Sequence, residues 1–206
     1  MNNKLFLGSH SQSRQRLLKE AQIPFQVVGH TLDETKCDWS SVAFRELVAQ
    51  IALNKMEHVI MPEGQEGGQI SFFLTADTLC MTKNGDIQGK PKDRADAIEK
   101  LKAARGGAQV ATAFCLDKRV FKFGQWEVTK RVQQVVGAEY SFEVSDEWID
   151  LYLEKSLGLS GSGAIAIEGF GDQFLKMVHG SYSAIIGLPM FELRESLKEI
   201  GFCRSL

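Results

Sequence analysis

The chain has 206 residues, a length that suits one α/β domain or two lobes that share a sheet. Its composition, 44% hydrophobic and 24% charged, is ordinary for a soluble globular protein, and its net charge of -2 leaves no broad basic field for a nucleic acid. No stretch reaches the ~18 apolar residues of a membrane span, and the N-terminus lacks a signal-peptide core. We therefore expect a cytoplasmic protein whose partner is neither a nucleic acid nor a membrane.

The four cysteines are far apart in the sequence and form no C-x-x-C pair. This spacing is typical of neither a zinc site nor a disulfide framework. We expect Cys37, Cys80, Cys115 and Cys203 to be reduced thiols without a catalytic role, since free cysteine packs mostly as a small hydrophobic residue.

A serine-rich segment lies between the first predicted strand and the first predicted helix. The apolar run at residues 4–7 ends at a glycine, and Ser9, Ser11 and Ser13 precede a helix that begins at Arg14. A helix N-terminus offers free N–H groups and the positive end of its dipole, so hydroxyls and a guanidinium here suit an anion. Simple helix capping with a surface arginine explains the same residues, and both interpretations stay open.

An acidic pair follows the second predicted strand, which spans residues 25–28. Asp33 and Glu34 lie in a loop, where carboxylate oxygens can hold a divalent cation. Solvated loop acids fit the same pattern, so the residues alone do not decide between the two.

Lys55 has an unusual place on the second predicted helix. Apolar residues recur at Phe44, Leu47, Val48 and Ile51, which predicts an amphipathic helix that runs to about residue 60, with a serine cap at position 40 or 41. Lys55 falls four residues after Ile51, on the apolar face. A lysine there either extends its ammonium to the edge of the core, which is the more common arrangement, or points into a cleft.

Asp77 ends an apolar strand that is predicted at residues 70–76. A hairpin follows at residues 80–89, because Asn84-Gly85 is typical of a tight turn between strands. An acid at the carboxyl end of a strand lies where α/β proteins bind ligands. An acid that merely ends the strand explains the position equally well.

Gly89-Lys90-Pro91 shares features with a phosphate-binding P-loop but does not form one. Its spacing from Gly85 is one residue short of G-x-x-x-x-G-K-[ST], and a proline replaces the hydroxyl residue. Pro91 nevertheless fixes the backbone just after Lys90, which would help to aim the ammonium at a phosphate.

The second half of the chain completes a mixed sheet. We predict helices over residues 93–104, from Ser145 and from Pro189, and strands over residues 109–116, 120–136 and 174–178. Five glycines between residues 158 and 171 predict a loop, a strand and a turn, in which Glu168 is an acid flanked by flexible backbone. Alternating strands and helices in the first half and paired strands in the middle favour an α/β fold with a mixed twisted sheet and flanking helices.

Taken in order, these motifs resemble those of the Maf family of nucleoside triphosphate pyrophosphatases, over roughly residues 5 to 200. The segment L-G-S-H-S-Q-S-R from Leu7 is similar to the family's L-A-S-x-S-P-R/W-R, and Ile51 begins a match to L-A-x-x-K. The other matches are D-E-T at 33–35, A-D-T at 76–78, G-K-P at 89–91, E-G-x-G at 168–171, Y-S at 182–183 and G-L-P at 187–189.

The resemblance implies one Maf-like domain across residues 1–206, with two lobes around a cleft, related to the inosine triphosphate pyrophosphatases. It implies hydrolysis of a nucleoside triphosphate with a divalent metal, Mg²⁺ or Mn²⁺, held by Glu34 and Asp77, and it makes Asp77 and Lys90 catalytic. Whether Asp77 ligates the metal or accepts a proton from the attacking water stays open, as does a homodimer. The substrate-binding residues that the resemblance implies are Ser9, Ser11, Ser13, Arg14, Lys55, Thr78 and Glu168.

Three positions leave the preferred base undecided. In the family, substrate choice tracks the positions of Ser13, Thr78 and Glu168. Enzymes for thymidine and uridine triphosphates carry Arg, Thr and Gln there, and those for 7-methylguanosine triphosphate carry Trp, Gln and Glu. This chain is a hybrid, and the carboxylate of Glu168 favours a guanine-type base, whose N1–H and N2–H₂ are paired donors.

Other departures support a competing hypothesis. The family's proline and asparagine are replaced by Gln12 and Ala184, and Thr75 stands for the usual glycine before A-D-T. The changes at Gln12, Ser13 and Ala184 favour a catalytically weakened, nucleotide-binding regulatory protein linked to septum formation. The intact catalytic pair and Lys55 favour catalysis, and the net charge disfavours a third option, a nucleic-acid-binding module.

Overall fold

The computed structural model describes residues 4–33, 42–65 and 67–202. In chain order, these ranges contain β1 (Leu5–Leu7), α1 (Gln12–Glu20), β2 (Phe25–Val27), α2 (Phe44–Glu57), β3 (Ile70–Thr82), β4 (Ile87–Gln88), α3 (Arg94–Ala104), β5 (Ala108–Lys122), β6 (Gln125–Phe142), α4 (Asp146–Lys155), β7 (Leu175–Gly180), α5 (Tyr182–Ile186) and α6 (Met190–Glu199). Within the same ranges, no helix combines the length and the apolar character needed to cross a bilayer.

The strands form a mixed sheet with flanking helices, which confirms the predicted α/β class. Their order is β2-β1-β3-β5-β6-β7, and β4 pairs with β3 outside this path. β1 is parallel to β2 and β3, whereas β4 is antiparallel to β3 and β7 is antiparallel to β6. The β3–β4 pair is the hairpin that Asn84-Gly85 predicts, with Gly85 at a φ of 89° that suits a residue without Cβ.

The described residues divide into two compact units. The first comprises those within Met1–Asp77, Ala113–Val135 and Leu188–Leu206, and the second those within Thr78–Thr112 and Val136–Gly187. The chain therefore passes from the first unit to the second between Asp77 and Thr78, two neighbours that the sequence assigns to one motif.

Aromatic packing dominates one part of the core of the first unit. Phe6 of β1 stacks on Phe73 of β3 with 5.2 Å between ring centroids, and Trp126 approaches Phe73 edge-on at 5.6 Å. Met56 of α2 and Cys115 of β5 belong to the same buried cluster. Because full burial of such a side chain contributes about 1.5–3 kcal/mol, this cluster holds the last turn of α2 on the sheet.

The second unit has its own aromatic core. Phe174 lies 6.1 Å from Phe142, 5.7 Å from Tyr152 and 6.0 Å from Trp148, measured between ring centroids. Helix α3 packs near this core and begins where the sequence predicts, because Asp93 accepts a hydrogen bond from the Asp96 N–H at 2.9 Å.

Several predicted strand limits were wrong, including the start of β6, which lies at residue 125 instead of 120. β3 continues beyond residue 76 to Thr82, so Asp77 lies inside the strand, because the β-formers after it keep pairing with β4. β5 and β6 also extend beyond their predicted ends. The two residues that link them, Phe123 and Gly124, have φ values of 52° and 76°, the left-handed conformation of a tight hairpin turn.

Helix α2 and the glycine-rich segment also differ from their predictions. α2 ends at Glu57 rather than near residue 60, and Ala43 is its N-cap, while the serines predicted as caps lie outside the described residues. The glycine-rich segment forms three short 3₁₀ helices, Gly158–Ser160, Ser162–Ala164 and Gly169–Phe174, instead of a strand.

Candidate active site

The parallel strands β1 and β3 bring two predicted segments to the same end of the sheet. Leu7, the last residue of β1, pairs with Leu74, which precedes Asp77 by three positions. Gly8 permits this approach because a Cβ there would lie 2.8 Å from the Cγ2 of Thr75. The serine-rich segment thus begins beside the strand that carries Asp77, at the end where α/β proteins bind ligands.

Arg14 and Ser9 form a buried polar contact at the start of α1. Arg14 Nη1 donates to Ser9 Oγ at 3.1 Å, and both residues are buried. Ser11 is the N-cap of α1, since its Oγ accepts from the Arg14 N–H, and Ser13 lies in the first turn. Capping is therefore confirmed for Ser11, whereas a surface position for Arg14 is wrong. A guanidinium held beside a helix N-terminus suits an anionic ligand.

Lys55 and Asp77 form a buried ion pair in the first unit. Lys55 Nζ lies 2.5 Å from Asp77 Oδ1, and the two side chains are 8% and 10% exposed. The edge position expected for Lys55 is therefore wrong, because Asp77 supplies the counter-charge that allows an ammonium to leave water. Thr75, on the same face of β3 as Asp77, donates its hydroxyl to the Ala52 carbonyl of α2 at 2.8 Å and fixes the helix beside the strand.

An ionic network that the sequence interpretation missed holds the end of α2 next to Lys55. The carboxylate of Asp117, fully buried in β5, accepts from Arg119 Nη2 at 2.7 Å and from Arg131 Nε at 2.6 Å. Arg119 Nη2 also donates to the carbonyl of Met56, the residue after Lys55, at 3.3 Å. The signal was present in the sequence, since Asp117 and Arg119 are two residues apart and must share a strand face.

Asp77 is the predicted metal ligand that the structure describes. Among the described residues, no group of three His, Cys, Asp or Glu side chains could hold a metal ion by itself. Asp33 is exposed, and Glu34 lies outside the described residues. Mg²⁺ is usually bound by one or two carboxylates together with water and substrate phosphates. The carboxylate of Asp77 is a group of this kind.

In the second unit, Thr78 belongs to a chain of hydrogen-bonded hydroxyls. Its Oγ1 lies 2.8 Å from Thr112 Oγ1, and Thr112 Oγ1 lies 2.7 Å from the Ala184 carbonyl oxygen. Ser162 donates its hydroxyl to the Thr78 carbonyl at 2.5 Å. The sequence interpretation missed Thr112 and Ser162. The available signal for Thr112 was a hydroxyl residue inside the apolar run V-A-T-A-F, where it cannot be solvated.

Lys90 lies just after β4, and its side chain is exposed. The Gly89 carbonyl accepts from the Gly163 N–H at 3.0 Å, so the G-K-P turn is held against the glycine-rich segment. Gly163 has a φ of 64°, and a Cβ there would lie 3.3 Å from Cys80 Cβ. The backbone before Lys90 is therefore fixed, while its side chain is exposed.

Glu168 is buried at the start of the last 3₁₀ helix, and Tyr152 holds the segment that precedes it. The Tyr152 hydroxyl donates to the Ala164 carbonyl at 2.9 Å and accepts from the Ala166 N–H at 2.7 Å. Burial raises the pKa of Tyr152 well above its usual value, so this hydroxyl keeps its proton near neutral pH. The backbone before Glu168 is thus pinned, which corrects the flexible backbone expected there.

A family model described as Maf, Maf-like protein, matches residues 4–200. Relatives named dTTP/UTP pyrophosphatase are similar over nearly the whole chain. The Fusobacterium nucleatum protein is 32% identical over 98% of this chain and 98% of its own length. The Bacillus cytotoxicus protein is 34% identical over 95% of each chain, and the Colwellia psychrerythraea protein is 31% identical over 100% of this chain and 92% of its own.

Proposed function

The chain belongs to the Maf family, and from this membership we propose that it is a nucleoside triphosphate pyrophosphatase. The reaction breaks the bond between the α- and β-phosphates and releases a nucleoside monophosphate and pyrophosphate. The relatives named dTTP/UTP pyrophosphatase support this proposal, because they match this chain from end to end at 31–34% identity.

The buried Lys55–Asp77 pair is the observation that carries the proposal. The desolvation cost of a buried ion pair can exceed its Coulombic gain, so such a pair is weak evidence of a stabilising role. A pair at the ligand-binding end of parallel strands suits catalysis instead. Phosphoryl transfer needs a group that positions the attacking water and cations that neutralise the phosphates, and this pair offers one of each.

The other predicted residues of the first unit complete these roles. We assign Asp77 to the attacking water, whose proton its carboxylate accepts, and Lys55 to the phosphates, whose charge it neutralises while it keeps that carboxylate in place. Arg14, held by Ser9 at the N-terminus of α1, offers a guanidinium to the phosphates.

Lys90 and a divalent metal supply the remaining positive charge. Lys90 is exposed beside a fixed backbone, where its ammonium can pair with a phosphate. Asp77 and Glu34 would hold the metal, Mg²⁺ or Mn²⁺, which when bound neutralises phosphate charge. The fit of Asp77 to a metal that the triphosphate shares supports this assignment.

Two classes of base are candidates for the substrate. A uracil or thymine base is our first candidate, because the relatives are named for dTTP and UTP and because Thr78 agrees with that choice. A guanine-type base is the second, favoured by the buried carboxylate of Glu168, which can accept from two neighbouring N–H donors.

The test is pyrophosphate release from UTP, dTTP, GTP, 7-methyl-GTP, CTP and ATP, each with Mg²⁺ or Mn²⁺. We expect turnover of at least one triphosphate, with equal amounts of monophosphate and pyrophosphate and with loss of activity in a chelator. Nucleotide binding without any hydrolysis would instead support the regulatory hypothesis, to which Gln12 and Ala184 point.

A further inference from the structure

The hydroxyl chain in the second unit has a defined direction. A carbonyl oxygen can only accept, so at 2.7 Å the single proton of Thr112 must point to the Ala184 carbonyl. Thr112 then has no proton left for Thr78, and the 2.8 Å contact between the two hydroxyls requires Thr78 to be the donor. The proton of Thr78 is therefore committed to Thr112.

The acceptor of this chain is rigidly placed. Ala184 lies in α5, whose N-cap Ser181 accepts from the Ala184 N–H at 3.2 Å, and both Ala184 and Thr112 are fully buried. Water cannot replace the Ala184 carbonyl as the partner of Thr112, and no second carbonyl of the described residues accepts from the Thr112 hydroxyl. The direction of the chain is thus set by the fold.

We propose that Thr112 is a specificity-determining positioning residue, which makes Thr78 present only lone pairs to the nucleotide base and so selects bases that carry a ring N–H. This inference rests on the proposed function, and it takes Thr78, which stands at one of the family's specificity positions, to contact the base. Uracil and thymine carry N3–H and guanine carries N1–H, whereas cytosine N3 and adenine N1 are acceptors. A buried acceptor that faces another acceptor leaves both groups unpaired, which is how hydrogen-bonding sites reject the wrong substrate.

Glu168, in the same unit, is a second group that can only accept hydrogen bonds from the base. An ionised carboxylate is also an acceptor without a donor, so it likewise disfavours a ring nitrogen that only accepts, although among the bases with a ring N–H it favours guanine, which offers two donors. The direction of the hydroxyl chain therefore reconciles the two base candidates, because uracil, thymine and guanine share the N–H that cytosine and adenine lack.

The decisive experiment compares kcat/KM for UTP and CTP, and for GTP and ATP, in the parent and in two variants. We expect the parent to favour UTP and GTP. Thr112→Val keeps the shape of the side chain but frees the Thr78 proton to donate to the base. The preferences for UTP over CTP and for GTP over ATP should therefore each fall about tenfold. Thr112→Ser keeps the hydroxyl and should retain both preferences. A Thr112→Val enzyme that is slower on all four substrates with unchanged ratios would overturn the proposal, because a purely structural role lowers all rates together.

A binding measurement separates this inference from the proposed function. The affinities of Asp77→Asn protein for UTP and CTP, measured by calorimetry with and without Thr112→Val, test base selection without hydrolysis. A loss of the UTP preference on Thr112→Val supports the inference even if no triphosphate is cleaved, and equal affinities for UTP and CTP in both proteins overturn it. If Thr112→Val does not fold, Thr78→Val must reduce the UTP preference of the parent by a similar factor, and an unchanged preference would also overturn the inference.

Discussion

The two units hold their buried polar groups in different ways. In the first unit they include charges that meet as ion pairs, Lys55 with Asp77 and Asp117 with two arginines, beside hydroxyls such as that of Thr75. In the second unit they are mostly hydroxyls that bond to each other or to the backbone, as Thr112 and Tyr152 do. An ion pair fixes where a charge lies, whereas a hydroxyl chain fixes which atom carries the proton.

This difference matches what each unit is proposed to bind. Phosphates are charged, so the residues around them must place charge and keep it in place. Bases are neutral and differ in the pattern of their donors and acceptors, so a site that distinguishes them must fix the direction of its hydrogen bonds.

The largest effect is expected for the carboxylate of the ion pair. Asp77→Asn retains the shape but cannot accept a proton from water, so kcat should fall roughly 10²–10⁴-fold with an unchanged circular dichroism spectrum. Asp150→Asn, at an exposed aspartate that pairs with Arg94, is the matched control and should leave kcat unchanged. An Asp77→Asn enzyme as fast as the parent would contradict the catalytic assignment.

A substitution of Asp117 tests whether the buried ion pairs of the first unit also stabilise its fold. Asp117→Ala leaves Arg119 and Arg131 without their shared counter-charge, so the free energy of unfolding should fall by about 3–5 kcal/mol in urea denaturation. Glu199→Ala, which breaks an exposed pair with Lys130, should cost less than about 1 kcal/mol. If both variants lose a similar amount of unfolding free energy, the buried network does not stabilise the fold more than an exposed ion pair does.

Lys90 is an exposed lysine of the second unit that we propose to pair with a phosphate. Lys90→Ala should raise KM and lower kcat, because a phosphate loses a charged partner whose contact contributes about 1.5–3 kcal/mol. The exposed Lys102 of α3 is a suitable control, and steady-state kinetics of Lys102→Ala should match those of the parent. Unchanged kinetics in Lys90→Ala would mean that its ammonium does not approach the substrate.

A substitution of Glu168 tests whether its carboxylate in the second unit accepts hydrogen bonds from the base. Glu168→Gln replaces one acceptor oxygen by a donor, so the ratio of kcat/KM for UTP to that for GTP should rise about tenfold. Glu147→Gln, at an exposed position in the same unit, should leave the ratio unchanged. If the Glu168→Gln ratio stays where it was, Glu168 does not contact the base.

The smallest effect concerns the thiols, which both units bury. Burial raises the pKa of Cys80 to about 11 and that of Cys115 to about 12. A thiol reagent at pH 8 should therefore modify neither residue in the folded protein, tested in a Cys37→Ser, Cys203→Ser background with urea-unfolded protein as the control. Because the unfolded chain loses these protons first, the free energy of unfolding should fall as pH rises from about 9 towards 11. Rapid labelling of the folded protein would show that the two thiols are accessible.

Local features were predictable from the sequence because they depend on neighbouring residues. The Asp93 cap of α3, the Asn84-Gly85 hairpin and the Ser11 cap of α1 each follow from side chains within a few positions of the feature. The order of the motifs was enough to indicate the family, because that order is a property of the chain itself.

The partners of the site residues were decided only by the tertiary structure. Lys55 was expected at the edge of the core because its helix alone shows no counter-charge, and the counter-charge lies 22 residues away on β3. Thr78 meets Thr112 across 34 residues and Thr112 meets Ala184 across 72, through strand pairing and a short helix that no local pattern fixes. The sequence determined which polar groups this protein has and, through its caps and tight turns, where some of its elements begin or end. The packing of distant strands and helices decided which of those groups are buried, and a buried group must bind whatever partner the fold places beside it.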